Sequence, residues 1–147
     1  MDISGSYTFD ALPDRVWDLL MDPEAIASCI PGCHSFEPEG EDRYRTRLTV
    51  ALAAVTGAYE GLVVLSDKIP QTSYRLTGEG QGHAGFLKGT SDVTLRAQGD
   101  ATIVDVKATI HVGGAIARVG QRLVGSVSKM MLDRFFACLK AKCAAGL

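Results

Sequence analysis

The stretch that decides the fold is IARVGQRLVGSVSKMMLDRFFACLKAKCAA, residues 116–145. It reads as one long helix. At about 100° per residue and with Val127 as reference, Ile116, Leu123, Val124, Met130, Met131, Phe135 and Cys138 fall within about 80° of one line. Arg118, Arg122, Lys129, Asp133 and Lys140 gather opposite, with Leu132 and Phe136 near that outer side. Such a helix must lay its apolar stripe on something. Gly120 falls on the stripe, where it allows a bend or a close approach. Arg134 falls near the middle of it, a charge that must snorkel, find an acid or meet a polar ligand group.

What lies upstream is strand. Ile3, Gly5, Tyr7 and Phe9 alternate with Ser4, Ser6 and Thr8, the period of two that gives a strand one dry face. Pro13 opens a short helix carrying Val16, Trp17, Leu19 and Leu20; Asp22 caps a second, with Pro23 at its first position. From Ser35 the period returns to two. Tyr44, Thr46, Leu48, Val50 and Leu52 share a face against Arg43, Arg45 and Arg47, and a strand follows from about Val55 to Leu65. Asp67 to Gln71 reads as a turn. Tyr74 to Gly82 and Leu87 to Leu95 are strands separated near His83 to Phe86, Gln98 to Asp100 is a hairpin turn, and Thr102 to Val112 is the last strand before Gly113 and Gly114. These elements predict an α+β fold: about seven strands in a curved antiparallel sheet, two short helices after the first strand, and the long helix closing over the sheet. Residues 1–147 are expected to form one domain, since no repeat, linker or low-complexity segment divides them.

Glycine placement carries the functional signal. Gly57, Gly61, Gly78, Gly80, Gly82 and Gly89 recur at strand positions whose neighbours two residues away are apolar. Glycine leaves no side chain to fill space, so several on one face imply a sharply bent sheet around a filled core, a hollow, or both. The hollow is the reading adopted. Its walls are expected from Leu48, Tyr59, Val63, Leu76, Leu87, Val93 and Ile110, with Leu123, Val127, Met130, Met131, Arg134 and Phe135 on the helical lid. Adjacent methionines suit a surface that adapts to ligands of varied shape.

Other classes find little support. A net charge of −2 gives no basic footprint for nucleic acid. No segment resembles a signal peptide or a spanning helix, so a cytoplasmic protein with free thiols is expected; Cys138 and Cys143, on one helix, point in different directions and should not pair. Cys29, Cys33 and His34 lie within six residues of one another, but no fourth ligand is evident and zinc is not expected. No Ser, His and acid set and no phosphate loop can be assembled. The chain is therefore expected to be non-enzymatic and to hold no cofactor. The Arg43, Arg45 and Arg47 row is either a solvated face or a contact for a partner.

Taken together, the Ile3 to Phe9 strand, Val16-Trp17 followed by Asp22-Pro23-Glu24, Ile30-Pro31-Gly32-Cys33, Gly57 to Gly61, Gly78 to Gly89, and Gly113-Gly114 followed by Gly120-Gln121-Arg122-Leu123 resemble the family of the carbon monoxide dehydrogenase G subunit. That family lies within the helix-grip (START-like, SRPBCC) superfamily of lipid-transfer, polyketide-cyclase and plant allergen-like proteins. The resemblance implies a curved sheet wrapped around a C-terminal helix with an apolar cavity. It also implies an accessory role toward molybdenum-containing carbon monoxide dehydrogenases and related hydroxylases, in recruitment to the membrane and in handling quinone. Cys33 becomes part of the family's turn. Many members carry a longer anchoring C-terminus, whereas this sequence stops at Leu147, so membrane contact is expected to be at most peripheral, at the inner face. The expected function is that of a soluble binder of a lipid- or quinone-like molecule, serving as carrier, assembly or recruitment factor for such a hydroxylase. A small cyclase or hydrolase of the same fold, and an interaction module without ligand, are the alternatives; a homodimer is compatible with all three.

Overall fold

In the computed structural model, which describes residues 1–51 and 55–145, β1 (Asp2–Phe9) leads into α1 (Pro13–Leu20) and α2 (Pro23–Cys29). There follow β2 (Cys33–Pro38), β3 (Arg43–Val50), β4 (Gly57–Ile69), β5 (Ser73–Gly82), β6 (Gly85–Gln98) and β7 (Ala101–Gly113). A 3-10 helix at Gly114–Val119 and α3 (Gln121–Ala144) complete the chain. The strands form one antiparallel sheet in the order β1-β7-β6-β5-β4-β3-β2. Consecutive hairpins build it, and only β1 has to travel, joining β7 through pairs such as Tyr7 with Val104. The two short helices fill that connection. Asp22 caps α2 as its sequence position requires, its carboxylate accepting the Glu24 amide at 3.0 Å.

Strand alternation is obeyed in β3. Tyr44, Thr46, Leu48 and Val50 turn inward from β3 while Arg43, Arg45 and Arg47 stay in water, so the predicted faces are those observed. Leu52 lies outside the described residues. Arg45 pairs with Glu39 at 2.9 Å and Arg47 with Glu60 at 3.5 Å, which makes the basic row part of a mixed, solvated surface. The turn expected at Asp67 to Gln71 comes later and tighter: β4 runs on to Ile69 through a register irregularity after Ser66.

The interior has two ends. At one, Phe9, Val16, Trp17, Leu20, Leu65, Tyr74, Val93, Leu95, Val104, Phe136 and Leu139 form a filled core. At the other, Val50, Val55, Ile116 and Val124 gather with Leu48, Tyr59, Val127 and Met131 around them.

The C-terminal stretch departs from expectation in three respects. It is not one helix: Gly120, exposed and at φ 95°, separates the 3-10 turn from α3, and its carbonyl accepts the Val124 amide at 3.2 Å. Nor is its buried face centred on Val127. Val124, Phe136, Leu139 and Cys143 are the buried positions, which lie about 60°, 180°, 120° and 160° round from Val127, so the true centre is rotated by roughly 130°. Arg134 is therefore exposed, while Phe136 is buried and stacked on Tyr7 with ring centroids 4.2 Å apart. Leu132, too, packs against the core.

The third departure is covalent. Cys29 of α2 and Cys138 of α3 form a disulfide across 109 residues, with Cα atoms 5.4 Å apart; Cys33 and Cys143 are free. The expectation of four free thiols fails because it compared only cysteines close in sequence, and the partner of Cys138 is brought to it by the packing of α2 on α3. The bond also removes Cys29 from the trio with Cys33 and His34.

Candidate functional site: an apolar hollow under the last helix

At its open end the sheet and α3 enclose a cavity of about 260 Å³. β3 contributes Thr46, Leu48 and Val50, β4 contributes Tyr59, Gly61 and Val63, and β5 contributes Gly78 and Gly80. Leu87 comes from β6, Ile116 from the 3-10 turn, and Val124, Val127, Ser128 and Met131 from α3. The glycines make the space. A Cβ placed on Gly78 would meet nothing within 4 Å, and one on Gly80 only the Glu60 carbonyl at 3.6 Å. In the ladder Gly61 faces Gly80, and with Gly78 two residues away bare backbone forms a patch of the wall where side chains would otherwise fill the centre.

Of the residues anticipated for this wall, Leu48, Tyr59, Val63, Leu87, Val127 and Met131 line the cavity. Leu76, Val93 and Phe135 belong to the filled core at the other end. Ile110 and Leu123 are half-buried but do not reach the cavity, Ile110 lying beside Gly89. Met130 and Arg134 face away, into an open groove between the start of β1 and the outer side of α3 that also holds Met1, Asp2 and Arg122. The anticipated pair of methionines is thus split, Met131 inward and Met130 outward. Thr46, Val50, Val55, Ile116, Val124 and Ser128 were not anticipated. Thr46 and Val50 share Leu48's parity, so alternation alone could have found them; Ser128 carries no apolar signal at all.

The lining is chemically sparse. Thr46 is buried and donates to the Ser35 carbonyl at 3.1 Å. Tyr59 donates to the Val55 carbonyl at 2.6 Å, and burial raises its phenol pKa, which keeps it neutral. Glu60 and Glu79 border the space from exposed positions on their strands. Among the described residues no lysine, arginine or histidine lines it, and no cluster of His, Cys, Asp and Glu could hold a metal ion. The arrangement can desolvate an apolar molecule; it offers an anion nothing.

A second cluster lies on the covered edge of the sheet. The Tyr7 hydroxyl donates to Asp133 at 2.6 Å, Lys129 donates to the same oxygen at 2.6 Å, and the Lys129 ammonium sits 5.6 Å from the Tyr7 ring centroid. Lys129 and then Tyr7 hold the Asp133 carboxyl below the usual range, while burial first and Asp133 second push the Tyr7 phenol up. This fastens α3 to β1.

Residues 5–144 match the family model described as the carbon monoxide dehydrogenase G subunit (CoxG). The chain belongs to that family. A conserved protein from Geobacillus kaustophilus has the same structure at a TM-score of 0.95 and 32% identity, covering 99% of this chain and 96% of its own. A START superfamily protein from Mycobacterium smegmatis superposes at 0.78 with 12% identity, over 99% of both chains. The Zhui aromatase/cyclase from Streptomyces sp. R1128 does so at 0.70 with 13% identity, over 98% of this chain and 93% of its own. The fold of this CoxG family member is accordingly the START-like helix grip. No curated protein matches the chain. Among the described residues no helix is long and apolar enough to cross a membrane.

Proposed function

We propose that this protein is a non-enzymatic carrier of a small apolar molecule, lipid- or quinone-like, acting as an accessory to a molybdenum-containing hydroxylase of the carbon monoxide dehydrogenase type. The observation that carries the reading is the hollow itself: about 260 Å³ walled by Leu48, Val63, Leu87 and Met131 and left empty by Gly78 and Gly80. A sequence under pressure only for stability would fill such a space, since each buried methylene contributes about 0.8 kcal/mol. An engineered cavity of about 150 Å³ accommodates benzene, so this one takes a fused pair of rings or a ring with a short chain, and a longer tail would extend beyond it. The family supports the accessory role, because it takes its name from that enzyme.

A cyclase reading draws on the aromatase/cyclase neighbour, whose likeness at 13% identity is one of fold. The Tyr59 hydroxyl, its best polar candidate, is spent on the Val55 carbonyl. We assign the carrier to the cytoplasm, where the Cys29–Cys138 bond would face reducing conditions.

The test is organic extraction of purified protein followed by mass spectrometry, alongside Met131→Trp, which places an indole in the hollow from α3. A reproducible apolar molecule in the wild type and its absence from the folded variant are the expected results. An empty wild type, or undiminished occupancy in the variant, would overturn the reading.

A further inference from the structure

A cavity that selected ligands by greasiness alone would need no polar side chain, yet this one has three hydroxyls in its wall. Two are committed. Thr46 gives its proton to Ser35 and also lies 3.7 Å from the Cys33 sulfur; Tyr59 gives its proton to Val55. The third, Ser128, is different. It sits on α3 one turn from both Val124 and Met131, in the part of the helix that covers the hollow, and is half-buried. A serine inside a helix ordinarily turns its hydroxyl back onto the carbonyl four residues before it. Among the described residues Ser128 makes no such bond and no other, and no buried side-chain oxygen or nitrogen is left without a partner, so its hydroxyl is accessible, on a residue that lines the cavity, rather than sealed in the protein. Serine is also a poor choice there on local grounds, because alanine would favour the helix and valine or leucine would add to the apolar wall. The feature is a free donor and acceptor on the wall of a mostly apolar space.

The charge around it narrows the ligand further. The acidic side chains that border the cavity are Glu60 and Glu79, both on exposed strand positions, with Glu60 paired to Arg47 outside the cavity lining. A carboxylate or phosphate brought inside would meet no cation and would lose its hydration without compensation.

Resting on the carrier reading, we propose that Ser128 Oγ is the polar anchor of the cavity, and that its ligand is a neutral, mostly apolar ring or short chain bearing a carbonyl or hydroxyl oxygen. Free fatty acids and other anionic lipids are excluded as contents of the hollow. A carbonyl oxygen would accept from Ser128; a ligand hydroxyl could also donate to it.

Calorimetric titration of the full chain at pH 7 with naphthalene, 2-naphthol and 2-naphthoate, for wild type and Ser128→Ala, tests this. One neutral hydrogen bond corresponds to roughly a five-fold change in affinity. The expected result is that Ser128→Ala weakens 2-naphthol by about five-fold and leaves naphthalene within about two-fold, while 2-naphthoate binds the wild type at least about ten-fold more weakly than 2-naphthol. Equal effects of the substitution on naphthalene and 2-naphthol would overturn the anchor with the carrier intact. So would 2-naphthoate binding as well as 2-naphthol, which would overturn neutrality. If none of the three binds the wild type, the carrier reading falls and the anchor with it. Thermal melting of Ser128→Ala, expected at or above the wild-type midpoint, shows that a lost affinity is not a lost fold.

Discussion

Two glycines in the same cavity wall should respond oppositely to a side chain. At Gly78, a Cβ would meet nothing within 4 Å and the backbone is not in the left-handed region. Glycine in a strand costs about 0.5–1 kcal/mol against alanine, chiefly through the freedom of the unfolded chain. Gly78→Val recovers that, adds a β-favouring side chain, and buries methyl groups at up to about 0.8 kcal/mol each against Val63, its partner in the ladder, and its neighbours. Because its first carbon contacts nothing, only part of the burial is realised, and a net gain of about 1–2 kcal/mol follows. For a chain of this size that raises Tm by roughly 3–6 °C. At Gly61, by contrast, the same carbon would lie 2.6 Å from the Glu79 carbonyl oxygen and 3.3 Å from the Thr46 methyl. That oxygen belongs to the β4–β5 ladder and cannot swing away, so Gly61→Ala costs about 1–3 kcal/mol. Thermal melting of the two variants gives the sign of each effect, and 2-naphthol titration shows whether the stabilised Gly78→Val has lost capacity. The reasoning is refuted if Gly78→Val melts below wild type, or if it melts higher with its ligand capacity intact, for then there is no hollow at Gly78 to fill.

Two further outcomes follow from the way α3 is held. The Cys29–Cys138 bond closes a loop of about the length for which chain entropy gives at most about 4.7 kcal/mol. Reduction, or Cys138→Ser, is expected to lower Tm by up to roughly 10–15 °C in differential scanning calorimetry, and a midpoint indifferent to reductant would contradict the pairing. Asp133 has a folded pKa depressed first by Lys129 and then by Tyr7, so it stabilises the fold above its unfolded value near 4 and that contribution is lost as pH falls through the lower folded value. Asp133→Asn should therefore flatten the acid side of the stability profile below about pH 4 in urea titrations; an unchanged acid limb would show that the Tyr7–Asp133–Lys129 contact contributes nothing.

How much of this was legible beforehand depends on whether the deciding interaction is local. Strand parity is local, because alternation within one strand assigns every side chain to a face; hence Leu48, Tyr59, Val63 and Leu87 could be placed inward from sequence and do border the hollow. The cap at Asp22 is local too. What parity cannot give is distance along the strand. Tyr59 and Leu76 both point inward, but only packing determines that β4's first half faces a space while Leu76 and Val93, further toward the other end, join the core cluster of Trp17, Phe136 and Leu139. The helix was harder still. Its apolar residues spread over more than half the circumference, so periodicity supplies a broad face without a centre, and taking Val127 as that centre put Arg134 inside and Phe136 outside. The disulfide was invisible for the plainest reason: 109 residues separate its ends.

The rotation of α3's buried face explains how one helix serves two purposes. Near its start, Val124 and Met131 lie about 60° and 40° round from Val127 and border the cavity; near its end, Phe136, Leu139 and Cys143 lie at about 120–180° and sink into the filled core. The contact line thus turns as it runs. The C-terminal half is fixed by that core, by Cys138 bonded to α2, and by Arg15 of α1 donating to the Cys143 carbonyl at 3.1 Å. The N-terminal half has fewer ties of this kind: it begins at Gly120, whose φ of 95° breaks the chain between Ile116 and Val124, and among the described residues the 3-10 turn before it is tied to the β5–β6 hairpin by the Ile116 amide on the Ala84 carbonyl at 2.9 Å. Its disulfide and its contacts with the filled core thus lie at the end of α3 away from the hollow.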